Sequence, residues 1–479
     1  MSDSSTPPDL DPASGRTDDP LSADRRVLIV GAVSMVLLVL VGVVSASIFT
    51  RSACAGIAPD AVTAGAVGEL DTVLADGLGD LFDDERVTLE SYLSGPLVEA
   101  FGPVRGAVDV TGADRLAPVG EAGDGLVAAL GDTTTVLETG EVAVRDAAEV
   151  GNGTVVGSGT TLYSLALTNP GTGQTDAIVP MDASLAGGDC LDTATVGTSF
   201  AFYLAADAGQ LALFRVEEDG EFPQVEVRDA QQGQVWNSPL DAPEIPPGVT
   251  GGRLSAGLGE DLMVVGRRAA VDDEAPAVSA FGRADGEARW QLAYGDLAAA
   301  APTGDTAVWV EVLDVDADLV LVAVSRELSD GEQGERGDRV LVALDAGDGT
   351  VRWTQDLDGA VPVAATVDAG QVTLLADTGT GVDSRRFAAA DGTPGPTSGR
   401  GDPAGGVAFD GRGAIVHAGG ADVVVAGNGV TRFDESGATE AVYELQGTQV
   451  LLIDAVTAGD ATVVLVASED GAVAVVYGG

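Results

Sequence analysis

Lysine is missing from this 479-residue chain. All 24 basic residues are arginine, set against 75 acidic residues for a formal charge of −51. A surface of that sign repels a phosphate backbone, which argues against nucleic acid as a partner. Two origins account for the imbalance: adaptation to high salt, where counterions screen the repulsion among carboxylates, and GC-rich coding, which favours Arg, Ala, Gly, Val and Asp. Histidine occurs once, at His417, which argues against a His-based triad and against a multi-histidine metal centre. Cysteine occurs twice, at Cys54 and Cys190, too few for a disulfide framework. One intramolecular bridge, free thiols and an intermolecular bond at Cys54 all stay open. Arg51 stands where a lipidation signal wants an aliphatic residue, so Cys54 is a poor lipid acceptor.

What the chain does have is enough apolar material, 45% of its residues, for a large core. Residues 1–26 are rich in Ser, Asp and Pro and read as a disordered cytoplasmic tail. Val27 to Phe49 carries no charge and as a helix rises about 34 Å, enough to span a bilayer. Arg25 and Arg26 abut its start while Arg51 stands alone behind it, so the positive-inside rule places the N-terminus in the cytoplasm. The expectation is a single-pass, retained signal-anchor at the cell membrane with the rest of the chain outside the cytoplasm. The rival is a cleaved signal peptide ending near Ala53-Cys54-Ala55. From 50 to 104 the leucines recur at helical spacing (Leu70, Val73, Leu74, Leu78, Leu81, then Leu89, Leu93, Leu97), which predicts a short helical stalk or linker.

After about residue 105 the texture becomes short β-branched runs between Gly, Asp, Thr and Pro clusters, as in Leu319–Val324 and Val463–Val466. No helical period separates them, so a βαβ fold is disfavoured. The runs repeat. Residues 340–353 read VLVALDAGDGTVRW, and residues 278–290 keep Ala280, Gly286 and Trp290 at the spacing of Ala343, Gly349 and Trp353. Residues 225–236 keep Asp229, Gly233 and Trp236, with the Trp one residue early. Weaker copies lie at 166–174, 387–395, 433–443 and 467–477, and an eighth hairpin near Glu138-Thr139-Gly140 is an alternative. Steps such as Gly286 to Gly349 (63 residues) and Gly437 to Gly471 (34 residues) suit four-stranded blades with variable loops.

The Ala-x-Asp-Ala-x-x-Gly-x-x-x-Trp pattern at 343–353 resembles the repeat of pyrroloquinoline-quinone-type β-propellers. That resemblance implies an all-β propeller over 105–479, of about seven four-stranded blades with eight the alternative. It also implies structural roles for Asp345, Gly349, Trp353, Gly286, Trp290, Asp229, Gly233 and Trp236, each Trp docking on a neighbouring blade. The chain ends in a strand pair, so the ring is expected to close with a strand from residues 105–150.

Quinone-dependent dehydrogenases share the fold, but the residues give no catalytic, cofactor-binding or metal set. Cys54 and Cys190 are far apart in sequence, unlike the adjacent cysteines found over the quinone in that family. Trp236, Trp290, Trp309 and Trp353 could floor a planar ligand, though three of them hold the docking position of the repeat. Asp314-x-Asp316-x-Asp318 alternates like a calcium loop but lacks the glycine and distal glutamate that complete one. The function expected is therefore a membrane-anchored binding or scaffold module without a cofactor. It would hold a protein or small-molecule partner on rim loops such as 325–339. A quinone-dependent oxidoreductase and a ligand sensor are the alternatives.

Overall fold

Each β-branched run becomes a strand buried on both sides. Leu319 to Val324 and Val463 to Val466 are buried throughout, which is the burial a sheet acquires when other sheets cover both its faces. The computed structural model describes residues 56–478 apart from 80, 121–122, 151–152, 160, 170–173, 193–198, 218–222, 231–232, 241–253, 271–275, 299–306, 328–338, 402–411, 435–437 and 446–448.

Consecutive antiparallel strands make eight four-stranded blades. In chain order they are blade 1 (113–149), blade 2 (153–192), blade 3 (199–239), blade 4 (254–292), blade 5 (307–356), blade 6 (361–401), blade 7 (413–444) and blade 8 (451–478). Blade 8 borrows its fourth strand, Val104–Asp109, from the other end of the sequence, with Ala107 opposite Val475 and Asp109 opposite Val473. The first strand of each blade lies innermost. These inner strands neighbour one another in sequence order, and the first strand of blade 8 meets that of blade 1, which closes the ring. A closed ring leaves only outer edges unpaired. The apolar core divides to match, with one cluster at each of the eight blade seams.

The expected number of seven is therefore corrected to eight: the seven copies fall one each in blades 2 to 8, and the blade they leave out is blade 1, whose third-to-fourth turn is the alternative hairpin at Glu138-Thr139-Gly140. The copies at 166–174 and 467–477 form turns between second and third strands, whereas the other copies form turns between third and fourth. Blade 2 passes from Met181 to Leu191 without the motif. Blade 8 has no third-to-fourth turn at all, because its fourth strand is the closing one.

Helices α1 (Leu70–Gly77), α2 (Asp83–Ser94) and α3 (Pro96–Phe101) lie against blades 7 and 8. Leu74, Leu89, Leu93 and Leu97 share a core with Val425, Val473 and Tyr477. The Tyr92 hydroxyl donates to the Tyr443 carbonyl at 2.9 Å, and the Tyr477 hydroxyl donates to the Leu93 carbonyl at 3.1 Å.

The membrane reading is also corrected. Residues 27–49 lie outside the described residues, and among the described residues no helix is long and apolar enough to cross a membrane. The longest helix among the described residues, α2, has 12 residues and rises about 18 Å, short of a bilayer core. The transmembrane helix, the signal-anchor, the membrane partner and the single-pass localisation are not carried forward.

Candidate functional site

In antiparallel blades, the turn between the first two strands and the turn between the last two share one rim. The repeat motif forms the second of these turns. In blade 5 the Asp345 carboxylate accepts the Gly347 amide at 2.9 Å and Arg352 at 2.7 Å. That arginine, helped by the amide, holds the Asp345 carboxyl below the usual range. Blade 4 has Gly282 where Asp345 stands. There Asp285 takes over, accepting the Glu287 amide at 2.9 Å and Arg289 at 2.6 Å. A side chain at 282 would collide with that pair.

Gly286, Gly349 and Gly392 all take positive φ, at 69°, 75° and 69°, and each lies under the indole of the preceding blade. A Cβ on Gly286 would meet Trp236 at 2.5 Å, one on Gly349 would meet Trp290 at 2.6 Å, and one on Gly392 would meet Trp353 at 2.6 Å. Glycine thus serves twice, for its backbone angle and for its missing side chain. The indole N–H groups donate across the same seams: Trp236 to the Arg283 carbonyl at 2.6 Å, Trp290 to Ala346 at 2.8 Å and Trp353 to Ala389 at 2.8 Å. Trp236 pairs opposite Val227 across a bulge, as Trp353 pairs opposite Ala343 across one. Its early position in the sequence comes from a turn one residue shorter. Gly233 takes a φ of 70° with nothing within 4 Å of a Cβ, and Asp229 is buried opposite it.

Charges also tie the ring. Arg283 reaches back to blade 3, donating to the Asp207 carboxylate and to Gln210, each at 2.8 Å. At the seam of blades 6 and 7, Arg386 and Asp422 form a buried pair at 2.5 Å, with Thr373 donating to the same carboxylate oxygen at 3.0 Å. Within blade 3, Glu226 is buried between Arg215 at 3.1 Å and Arg228 at 2.5 Å.

Two half-buried carboxylates on inner strands take a role the sequence did not show. Asp314 accepts the Val367 amide of blade 6 at 2.8 Å and its neighbour Val315 at 2.9 Å. Asp454 accepts the Leu116 amide of blade 1 at 2.6 Å and Ala455 at 2.8 Å. Each follows a bulge in its strand. Burial raises both carboxyls, Asp454 up to about 6, against the pull of the amides. Their shared signal is an Asp flanked by aliphatics, Val-Leu-Asp-Val at 312–315 and Leu-Ile-Asp-Ala at 452–455. Asp314, Asp316 and Asp318 thus lie at the end of one strand and in the bend before the next, and the first of them is a backbone clamp. Those three do not form a ligand group among the described residues.

Trp309 is half-buried on the inner strand of blade 5. Cys190 is disulfide-bonded, and the other cysteine, Cys54, lies outside the described residues, as do 328–338 of the expected rim loop.

The architecture defines the class: an eight-bladed β-propeller. No family model matches the chain, and no curated protein matches it in sequence. Among solved structures it is similar to the computationally designed Ika8 protein, at 13% identity and a TM-score of 0.50, covering 77% of this chain and 96% of that one. The Dos1 propeller is similar at 12% identity and a TM-score of 0.50, covering 78% and 93%. BamB from Moraxella catarrhalis aligns at 15% identity over 68% and 94%, with a TM-score of 0.31, too loose to carry an argument. At these identities the likeness is one of fold.

Proposed function

We propose that the chain is a noncatalytic binding or scaffold propeller of the quinoprotein-like repeat type, which takes a basic protein segment on one rim. The repeat type is supported by the spacing at 343–353 and by a Trp that lies on the glycine of the following blade.

The observation that carries the binding assignment is how charge divides on the rim of the repeat turns. Glu260, Asp261, Glu287, Asp348 and Asp391 stand exposed there. The arginines of the same turns are spent within the fold: Arg283 on Asp207, Arg289 on Asp285 and Arg352 on Asp345. A rim of exposed carboxylates, Glu287 among them sharing Arg289 at 3.3 Å, steers and holds a cationic segment, and does so less as salt rises. The quinone alternative loses its stacking floor. Trp236, Trp290 and Trp353 are only 7–8% exposed, and each is hydrogen-bonded in a seam.

The test is a photo-crosslinking residue placed at Asp348 or Glu287 of the full chain in its native cells. Controls sit at Asp358 on the opposite rim and at Val442 on the outer strand of blade 7. Adducts with a basic protein are expected from Asp348 and Glu287, with yields that fall as salt is added. Adducts confined to Asp358 or Val442 would reject this rim. Dye-linked turnover of alcohols or aldoses after adding the quinone and Ca²⁺ would reject the noncatalytic assignment.

A further inference from the structure

On the same rim, at the seam of blades 6 and 7, the only histidine of the chain meets two carboxylates. His417 lies one residue before the end of strand Gly413–Ala418 and pairs in register with Asp422 across the Gly419-Gly420 hairpin. Asp368 ends the corresponding strand of blade 6, Val361–Asp368. His417 Nδ1 lies 3.2 Å from Asp422 Oδ1 and 3.5 Å from Asp368 Oδ2. Among the described residues this is the one cluster of three potential ligands, with ligating atoms all within 4.8 Å of one another.

We propose that Asp368, His417 and Asp422 form a binding site for a late first-row divalent cation of the Zn²⁺ type, which bridges blades 6 and 7. Ligands about 2.0–2.1 Å from a tetrahedral ion stand about 3.4 Å from each other, and the two measured separations bracket that value. The imidazole donor selects against Ca²⁺ and Mg²⁺, which take oxygen ligands.

A second observation comes from outside the cluster. Asp422 is only 5% exposed, and its Oδ2 is occupied by Arg386 and Thr373, both from blade 6. Arg386 is itself fixed over the Phe433 ring, 5.1 Å from its centroid. With Oδ2 engaged, Oδ1 is the oxygen presented to His417, which is how outer-shell partners orient a metal-ligating carboxylate. Asp368 and His417 are 51% and 57% exposed in their side chains, so an ion has a route in and a solvent-facing position for water. A bare histidine–aspartate ion pair accounts for the distances but leaves no role for a bound cation, and the experiment separates the two.

Co²⁺ is the probe, added to the full chain in molar NaCl with excess Mg²⁺ to occupy the diffuse acidic surface. The expected result is ligand-field absorption that saturates at one ion per chain, with broadening of the single imidazole signal in nitrogen-15 spectra. H417Q and D368N should each weaken binding by more than about tenfold. Both side chains are half exposed, so the metal-free variants should keep the wild-type unfolding midpoint. Wild-type affinity in H417Q, or an imidazole signal unmoved at saturating Co²⁺, would overturn the proposal.

Discussion

Truncating Trp353 to alanine removes an indole that is 7% exposed. It also deletes the 2.8 Å hydrogen bond to the Ala389 carbonyl across the seam of blades 5 and 6. Large aromatic truncations in a core cost about 3–5 kcal/mol. The ring contact with Phe387, at 6.1 Å between centroids, places this site in the middle of that range, about 4 kcal/mol. The partner glycine allows a sharper test. Gly392→Ala must hold a φ of 69°, at about 1–2 kcal/mol. It must also fit a Cβ 2.6 Å from Trp353 Cδ2, which adds about 1–3 kcal/mol of overpacking. In the W353A background the overpacking vanishes and the backbone term alone remains, so the double variant should be less destabilised than the sum by about 1–3 kcal/mol. Chemical denaturation followed by circular dichroism measures all four proteins without relying on the indole signal. Trp290→Ala should resemble Trp353→Ala, and Trp309→Ala should cost less. Wild-type midpoints for W353A and W290A, or strict additivity in the cycle, would refute the seam reasoning.

The melting temperature should rise as monovalent salt goes from tens of millimolar to molar, because a formal charge of −51 repels itself in the compact state; a flat curve would leave base composition as the sufficient origin of the acidity. Asp454 should make the fold more stable as pH falls from about 6 toward 4. Its folded carboxyl is raised from 3.8 to about 6 by burial, so the folded state binds the proton more tightly, and the stability it confers is lost as pH rises through that window. The effect is on the order of 3 kcal/mol. Comparing the pH dependence of unfolding in wild type and D454N isolates it, and parallel curves would contradict it.

The fold was largely legible because its repeat is local. Ala343, Gly349 and Trp353 lie within one hairpin, so the glycine's φ and the spacing of the indole are visible there, although the surface on which Trp353 docks, Gly392, belongs to the next blade. The blade count was less legible. Blade 1 turns at Glu138-Thr139-Gly140 without the Asp and Trp of the motif, so in sequence its hairpin stands only as an alternative. Asp314 and Asp454 were obscured by a different cause. Their partners, Val367 and Leu116, are backbone amides of the neighbouring blade, and backbone amides carry no side-chain signature. The contact of His417 with Asp368 was hidden for a similar reason, since Asp368 comes from a different blade and joins it only when the ring forms.

The central claim is a ring of eight blades closed by Val104–Asp109 against Ala472–Gly478. Hydrogen–deuterium exchange of the full chain tests it directly. The amides of the closing strand should exchange as slowly as those of Val473 to Tyr477, its partners in register, and both should lose protection together in denaturant. Fast exchange of 104–109 beside a protected 472–478 would show an open ring and contradict the account.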